Sequence, residues 1–325
     1  MIEQIIKNGA VTIAGIVLLL LLLWLPDFLS DSMRAGSFWI PLTGQFLDGN
    51  LLSGKLCKAV ALFAALFSTA VLYVLGVRHA FFKQSLFLLA FFFLLFLSAF
   101  PQARVFSPSW FSVFLLLLSL HNLFLSESDG SNARVFTSAF LATLAGLIYM
   151  PAWIMLIGLG IGLITWRQMK IRPYIIFLSG IILPLAGLLL FRFFVYEDAG
   201  VYLNLLYDAI LHPTGQFPLR SANSLFLMLV FGYLSVRAVW IFLFQDSKLN
   251  VFRARVFSIF AWMLALCVLF LLFYSRGAEG FMPLLALPVS VCLSFYFSYG
   301  RRFTGRMKAE FVLLLLAIIL NQIQI

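Results

Sequence analysis

Residues Leu86–Leu97 read LFLLAFFFLLFL, and Ile16–Trp24 read IVLLLLLLW. Neither run alternates apolar with polar residues, as a strand lining a membrane barrel must. Inside hydrocarbon a backbone has to satisfy its own hydrogen bonds, and a continuous apolar run does so as a helix. One crossing takes about 20 mainly apolar residues over roughly 30 Å. Working outward from these two runs, eleven such stretches can be marked, at about 10–25, 59–77, 85–100, 109–126, 135–150, 152–166, 173–195, 224–243, 256–274, 281–298 and 310–325. Several are short. The expectation is an all-α, polytopic transmembrane helix bundle of about 11 spans, within a range of 9–11.

Composition agrees. Of 325 residues, 63% are hydrophobic and 10% charged, and the mean hydropathy is +1.07. A soluble domain carries about 45–50% apolar and about 25% charged residues, because its surface faces water. The chain is therefore read as a single transmembrane domain over 1–325. Near the N-terminus Lys7 precedes an apolar run, but Pro26, Asp27 and Phe28 follow it where a cleavage site would need small residues. That run is read as a retained first helix.

The net charge of +10 is spread in short clusters between apolar runs and forms no basic stripe, so no nucleic-acid partner is expected. Its pattern reports orientation. Of the 22 Lys and Arg, Arg192 and Arg237 lie within spans, and six (Arg34, Lys55, Lys58, Arg104, Arg220, Arg276) fall in one set of alternate loops. The other fourteen fall in the opposite set. Positive residues mark the cytoplasmic side, which places the N-terminus in the cytoplasm and the C-terminus outside. The outer side then carries the two longest loops, about 26–58 and 196–223. The first contains Ser37-Phe-Trp-Ile-Pro41 and suits the membrane interface. In the second, Tyr202, Leu203, Leu205, Leu206 and Ile210 are spaced as on a short amphipathic helix lying along the membrane.

Motifs are few. Gly49-Asn-Leu-Leu-Ser-Gly54-Lys55 fits a phosphate-binding loop, but Leu56 stands where Ser or Thr would hold magnesium, and no strand precedes it. Gly158 and Gly162 have the small-xxx-small spacing that lets helices approach closely. Cys57, Cys267 and Cys292 have no metal or disulfide spacing, and the latter two read as small core residues. The three histidines, His79, His121 and His212, lie in separate segments and predict no metal site. Arg192 and Arg237 are costly inside a membrane and mark function or a snorkelling helix end. Asp27 and Asp31 stand four apart, on one face if the first helix continues, and are candidate general bases beside Glu197, Asp198 and Asp208 of the other loop.

Phe100–Trp110 (FPQARVFSPSW), the span after it, the polar loop Ser126–Arg134 and Ser138–Leu156 (SAFLATLAGLIYMPAWIML) together resemble an uncharacterised bacterial family of polytopic integral membrane proteins. More faintly, the acidic loop after the first span, the Pro-bearing turn and the paired-helix unit ending in Gly-Leu-x-x-x-Pro resemble C-superfamily glycosyltransferases that use polyprenyl-phosphate sugars. The resemblance implies a multi-pass protein of the bacterial inner membrane, in envelope or lipid-linked sugar metabolism. It implies that Asp27 or Asp31 acts as catalytic base. A leaving lipid phosphate calls for fixed cations, for which Arg104, Arg192 and Arg276 are the candidates, and Asp208 and His212 would line the same substrate cleft. No cofactor and no metal are expected. Expected partners are membrane lipids, a lipid-phosphate-linked substrate and a protein partner in the membrane. Two other readings stay open: a transporter or flippase, with helices broken at Pro184, Pro283 or Pro288, and a non-catalytic membrane subunit of a complex.

Overall fold

The computed structural model describes residues 9–29, 38–43, 45–47, 54–79, 81, 87–167, 171–211, 221–244, 251–273, 280–298 and 305–323. Among them are twelve α-helices: α1 (Gly9–Leu29), α2 (Gly54–Arg78), α3 (Phe87–Ala99), α4 (Ser109–Asp129), α5 (Asn132–Ile148), α6 (Trp153–Arg167), α7 (Ile171–Phe191), α8 (Ala199–Leu211), α9 (Ala222–Phe244), α10 (Val251–Phe273), α11 (Met282–Ser298) and α12 (Gly305–Ile323). A small antiparallel ribbon pairs β1 (Phe38–Ile40) with β2 (Gln45–Leu47), Phe38 opposite Leu47. Each of the eleven expected stretches falls on a helix. The twelfth, α8, forms in the second long loop, where the apolar spacing predicts a helix.

Five segments are long and apolar enough to cross a membrane: Gly54–Arg78, Ser109–Glu127, Ile171–Tyr196, Ala222–Phe244 and Val251–Phe273. The apolar parts of α1, α3, α5, α6 and α11 are shorter, and α12 opens with Arg306, Lys308 and Glu310. The surface is apolar as well as the core. Leu29, Ile171, Leu183, Phe194, Leu272 and Phe273 are all exposed. In water such a surface would drive association; in lipid it is the ordinary outer face of a helix bundle.

The centre of the bundle is a pair of helices buried on every side. In α3 every residue from Leu88 to Ala99 is buried, and in α11 every residue from Met282 to Phe297. A helix that is apolar all round belongs in the middle, and these two have few polar side chains to keep at a surface. Phenylalanines join them to their neighbours: Phe92 stacks on Phe297 at 5.1 Å, Phe96 meets Phe231 of α9 at 4.8 Å, and Phe295 meets Phe257 of α10 at 4.4 Å. Cys267 and Cys292 are fully buried in this core. Pro26, Pro184 and Pro288 lie inside α1, α7 and α11, and those helices run on through them.

Small residues set the closest approaches. Gly130 ends α4 in the left-handed conformation (φ 65°), which glycine adopts without strain. Helix α5 starts two residues later, making an antiparallel hairpin. Ser112 and Ser119 of α4 donate to the carbonyls of Ala145 and Ser138 of α5, each at 2.7 Å. Gly158 and Gly162, read as a helix-packing pair, face α10: a Cβ on Gly158 would lie 2.7 Å from Met263 Cγ, and one on Gly162 2.8 Å from Ile259. Gly180 brings α7 onto α5, where a Cβ would lie 2.8 Å from the Phe136 carbonyl oxygen.

Candidate functional site

Contacts at the helix ends sort the bundle into two poles. At one pole α7 passes into a π-helical turn, Arg192–Tyr196, which stops at Glu197 in the left-handed conformation (φ 54°). A turn of this kind widens the helix and is found often at functional sites. It aims Arg192 back under the ribbon. The Arg192 side chain is 10% exposed; its Nη1 lies 3.0 Å from Asp198 Oδ2, and its Nη2 donates to the Thr43 carbonyl. The guanidinium also sits 5.0 Å from the ring centroids of Tyr196 and Tyr202, at cation–π distance. Tyr202 is buried and donates its hydroxyl to the Pro41 carbonyl at 2.8 Å. Burial pushes the Tyr202 phenol up, partly offset by the Arg192 charge, so it stays a neutral donor. The two long loops therefore meet at Arg192 and Tyr202. Leu42 N–H donates to the Leu147 carbonyl at 2.7 Å and fastens the first loop to the end of α5.

Asp198 contributes one further feature. Its Oδ1 is buried and accepts no hydrogen bond among the described residues. Tyr196 and Glu197, which precede it in the chain, are exposed, as is Asp208 farther along α8. The site thus offers a shielded cation, an unmet carboxylate acceptor and an open aromatic face.

Arg104 lies at the same pole and has a different task. Helix α3 ends at Ala99, and its last carbonyls have no partner within the helix. Arg104, only 2% exposed, donates Nε (3.0 Å) and Nη2 to the Ser98 carbonyl, Nη1 to the Leu23 carbonyl of α1 (2.7 Å) and Nη2 to Gln322 Oε1 of α12 (2.8 Å). Asn321 donates to the Ala99 carbonyl at 2.9 Å and accepts from Ser224 of α9. Expected from the sequence to hold a substrate phosphate, Arg104 here caps α3 and ties it to α1 and α12. Asp27 lies near the end of α1; its side chain, and all of Asp31, His212 and Arg276, lie outside the described residues.

The opposite pole holds ion pairs. Glu310 of α12 pairs with Arg237 of α9 and accepts from the Tyr296 hydroxyl of α11, while Arg306 reaches it at 3.4 Å. The Arg237 guanidinium lies over Tyr296 at 5.1 Å. Arg237, read as either functional or snorkelling, is held here by a carboxylate and a ring. Arg255 of α10 bonds Glu127 of α4 at 2.8 Å, and Arg134 meets Asp129 at 2.6 Å. His79 Nε2 and His121 Nδ1 stand 3.1 Å apart, and Arg78 Nη1 is 3.5 Å from His121 Nε2. Since Arg78 can only donate, His121 Nε2 accepts, its Nδ1 carries the proton, and His79 Nε2 accepts in turn. Among the described residues no three His, Cys, Asp or Glu converge as metal ligands would.

Sequence reasoning placed Arg192 among the candidates but did not join it to Asp198, and it passed over Glu310. Asp198 follows Arg192 by six residues, a spacing with no helical meaning. Only the widened turn brings the two together. Comparison of the chain with protein-family models, with curated proteins and with solved structures found no match.

Proposed function

We propose that this chain is a multi-pass protein of the bacterial inner membrane that acts in lipid-linked sugar metabolism in the manner of a glycosyltransferase. In this reading the Arg192–Asp198 site receives the phosphate and hydroxyl groups of the substrate. The observation that carries it is a shielded guanidinium paired with Asp198 Oδ2 beside Asp198 Oδ1, a buried acceptor without a donor among the described residues. Leaving such an acceptor unmet costs about 1–3 kcal/mol, and a substrate hydroxyl would relieve it. Arg192 would bond the lipid phosphate through its planar fork, against aromatic rings that exclude water and weaken screening. Tyr196 offers an apolar face for a sugar ring.

The chemistry follows the resemblance. Asp27 or Asp31 takes the proton of the acceptor hydroxyl, and the freed oxygen attacks the sugar carbon. The bond from that carbon to the lipid phosphate breaks, and the phosphate leaves with the electron pair. Its growing charge is what Arg192 is placed to stabilise.

The test is binding of a polyprenyl phosphate to the purified protein in nanodiscs. Arg192→Ala is expected to weaken binding roughly 10- to 100-fold, the effect of losing a charge-assisted hydrogen bond. Arg192→Lys should recover little of it, because an ammonium lacks the fork. Unchanged binding by Arg192→Ala would remove the enzyme reading and leave the transporter and subunit readings.

A further inference from the structure

A second feature lies on the flank of the bundle at the pole opposite Arg192, and it is independent of the proposed activity. Helices α2 and α4 run in the same direction there, with a cleft of about 290 Å³ between them lined by Ala70, Val71, Val74, Leu75, Leu117 and Leu118. Arg78 and His121 close its end. Ala70, Val74 and Arg78 form one exposed stripe at helical spacing, so the cleft opens on the face that meets lipid. At its other end Phe67 packs on Phe114 at 5.3 Å and bridges the two helices.

The length of the cleft identifies its occupant. On α2 the lining runs from Ala70 to Arg78, eight residues or about 12 Å at 1.5 Å per residue. That fits within one leaflet, half of the roughly 30 Å hydrocarbon thickness. The cleft's volume of about 290 Å³ is enough for a stretch of a single chain.

The charge at the mouth identifies the headgroup. Arg78 is exposed, and among the described residues no carboxylate pairs with it; its hydrogen bond goes to neutral His121. Arg134, Arg237 and Arg255 at this pole all have an acidic partner. An arginine with no carboxylate partner among the described residues, at the head of a chain-sized groove, suits the phosphate of a lipid.

We infer that the α2–α4 cleft binds one acyl chain of an anionic glycerophospholipid, with its phosphate on Arg78. The full-length protein, stripped in mild detergent and offered equal phosphatidylglycerol and phosphatidylcholine, should retain phosphatidylglycerol preferentially by native mass spectrometry. Arg78→Ala should lower that retention at least fivefold, and Arg78→Lys should keep most of it. Ala70→Phe fills the groove and leaves the cation in place; it should lower retention comparably. Both positions are exposed, so neither variant threatens the fold. Equal retention of the two lipids, or wild-type retention by Arg78→Ala or by Ala70→Phe, would overturn the proposal. Competition by the water-soluble headgroup alone would also overturn it, because the chain would then contribute nothing.

Discussion

Arg104, Arg192 and Arg237 all stand near the ends of apolar helices, and each is neutralised in a different way. Arg104 meets carbonyls at a helix C-terminus, where the partial charge is negative. Arg237 meets a carboxylate. Arg192 meets a carboxylate, a carbonyl and two rings, and its carboxylate keeps one oxygen unmet. That remainder is why the proposed binding role falls to Arg192 rather than to the other two. The histidine pair makes a prediction at the same scale. Burial, then the neighbouring His121 and Arg78, hold His79 down to about 4 from its ordinary value near 6.5. Below pH 6.5 the unfolded chain takes up a proton that folded His79 refuses until about pH 4. The contribution of His79 to stability is therefore complete above pH 6.5 and is lost as pH falls toward 4. Thermal unfolding in detergent should show a drop in Tm over that interval, and His79→Gln should flatten it. An unchanged slope in His79→Gln would assign the drop to other groups.

At the scale of elements, helix α7 separates packing from propensity within one helix. Gly180 lies where a Cβ would press on Ala139 and on the Phe136 backbone oxygen, neither of which can turn away. Gly187, two turns on, has nothing within 4 Å of an added Cβ. Gly180→Ala has to push α5 and α7 apart and should destabilise the protein by about 1–3 kcal/mol, as overpacking does. Gly187→Ala should leave Tm unchanged or raise it, because alanine favours the helix. Equal effects of the two, read by thermal unfolding, would mean that the α5–α7 contact is not tight. The same logic explains why α3 and α11 sit at the centre: helices this apolar have no face to give to headgroups or loops.

At the scale of the whole molecule, the described basic residues of one pole include Arg78, Arg134, Arg237, Arg255, Arg306 and Lys308. The charge rule predicts that this pole faces the cytoplasm. Five segments satisfy the length requirement outright. Single cysteines at Arg134, Lys170 and Arg255 should be shielded from an impermeant reagent added outside cells, while cysteines at Gly49 and Thr214 should react. The native cysteines are buried and provide a low background. Reaction at the first three positions would reverse the orientation.

Hydrophobic continuity by itself determined the helical class and the eleven helical stretches, and residue spacing determined the helix in the second long loop and the packing role of Gly158 and Gly162. These properties are local: a run of apolar residues has to close its own hydrogen bonds wherever it lies, and a small-residue spacing makes a smooth face on any helix. Partnership was decided by the tertiary structure. Arg104 and Arg192 carry the same side chain, yet one reaches residues 81 and 218 positions away and the other a carbonyl 149 positions away. Likewise Glu310 looks like an ordinary helix-start acid until α9 and α11 bring Arg237 and Tyr296 against it. Which charge is spent on holding the fold and which is left for a ligand depends on distances between helices, and no periodicity along a single chain encodes those.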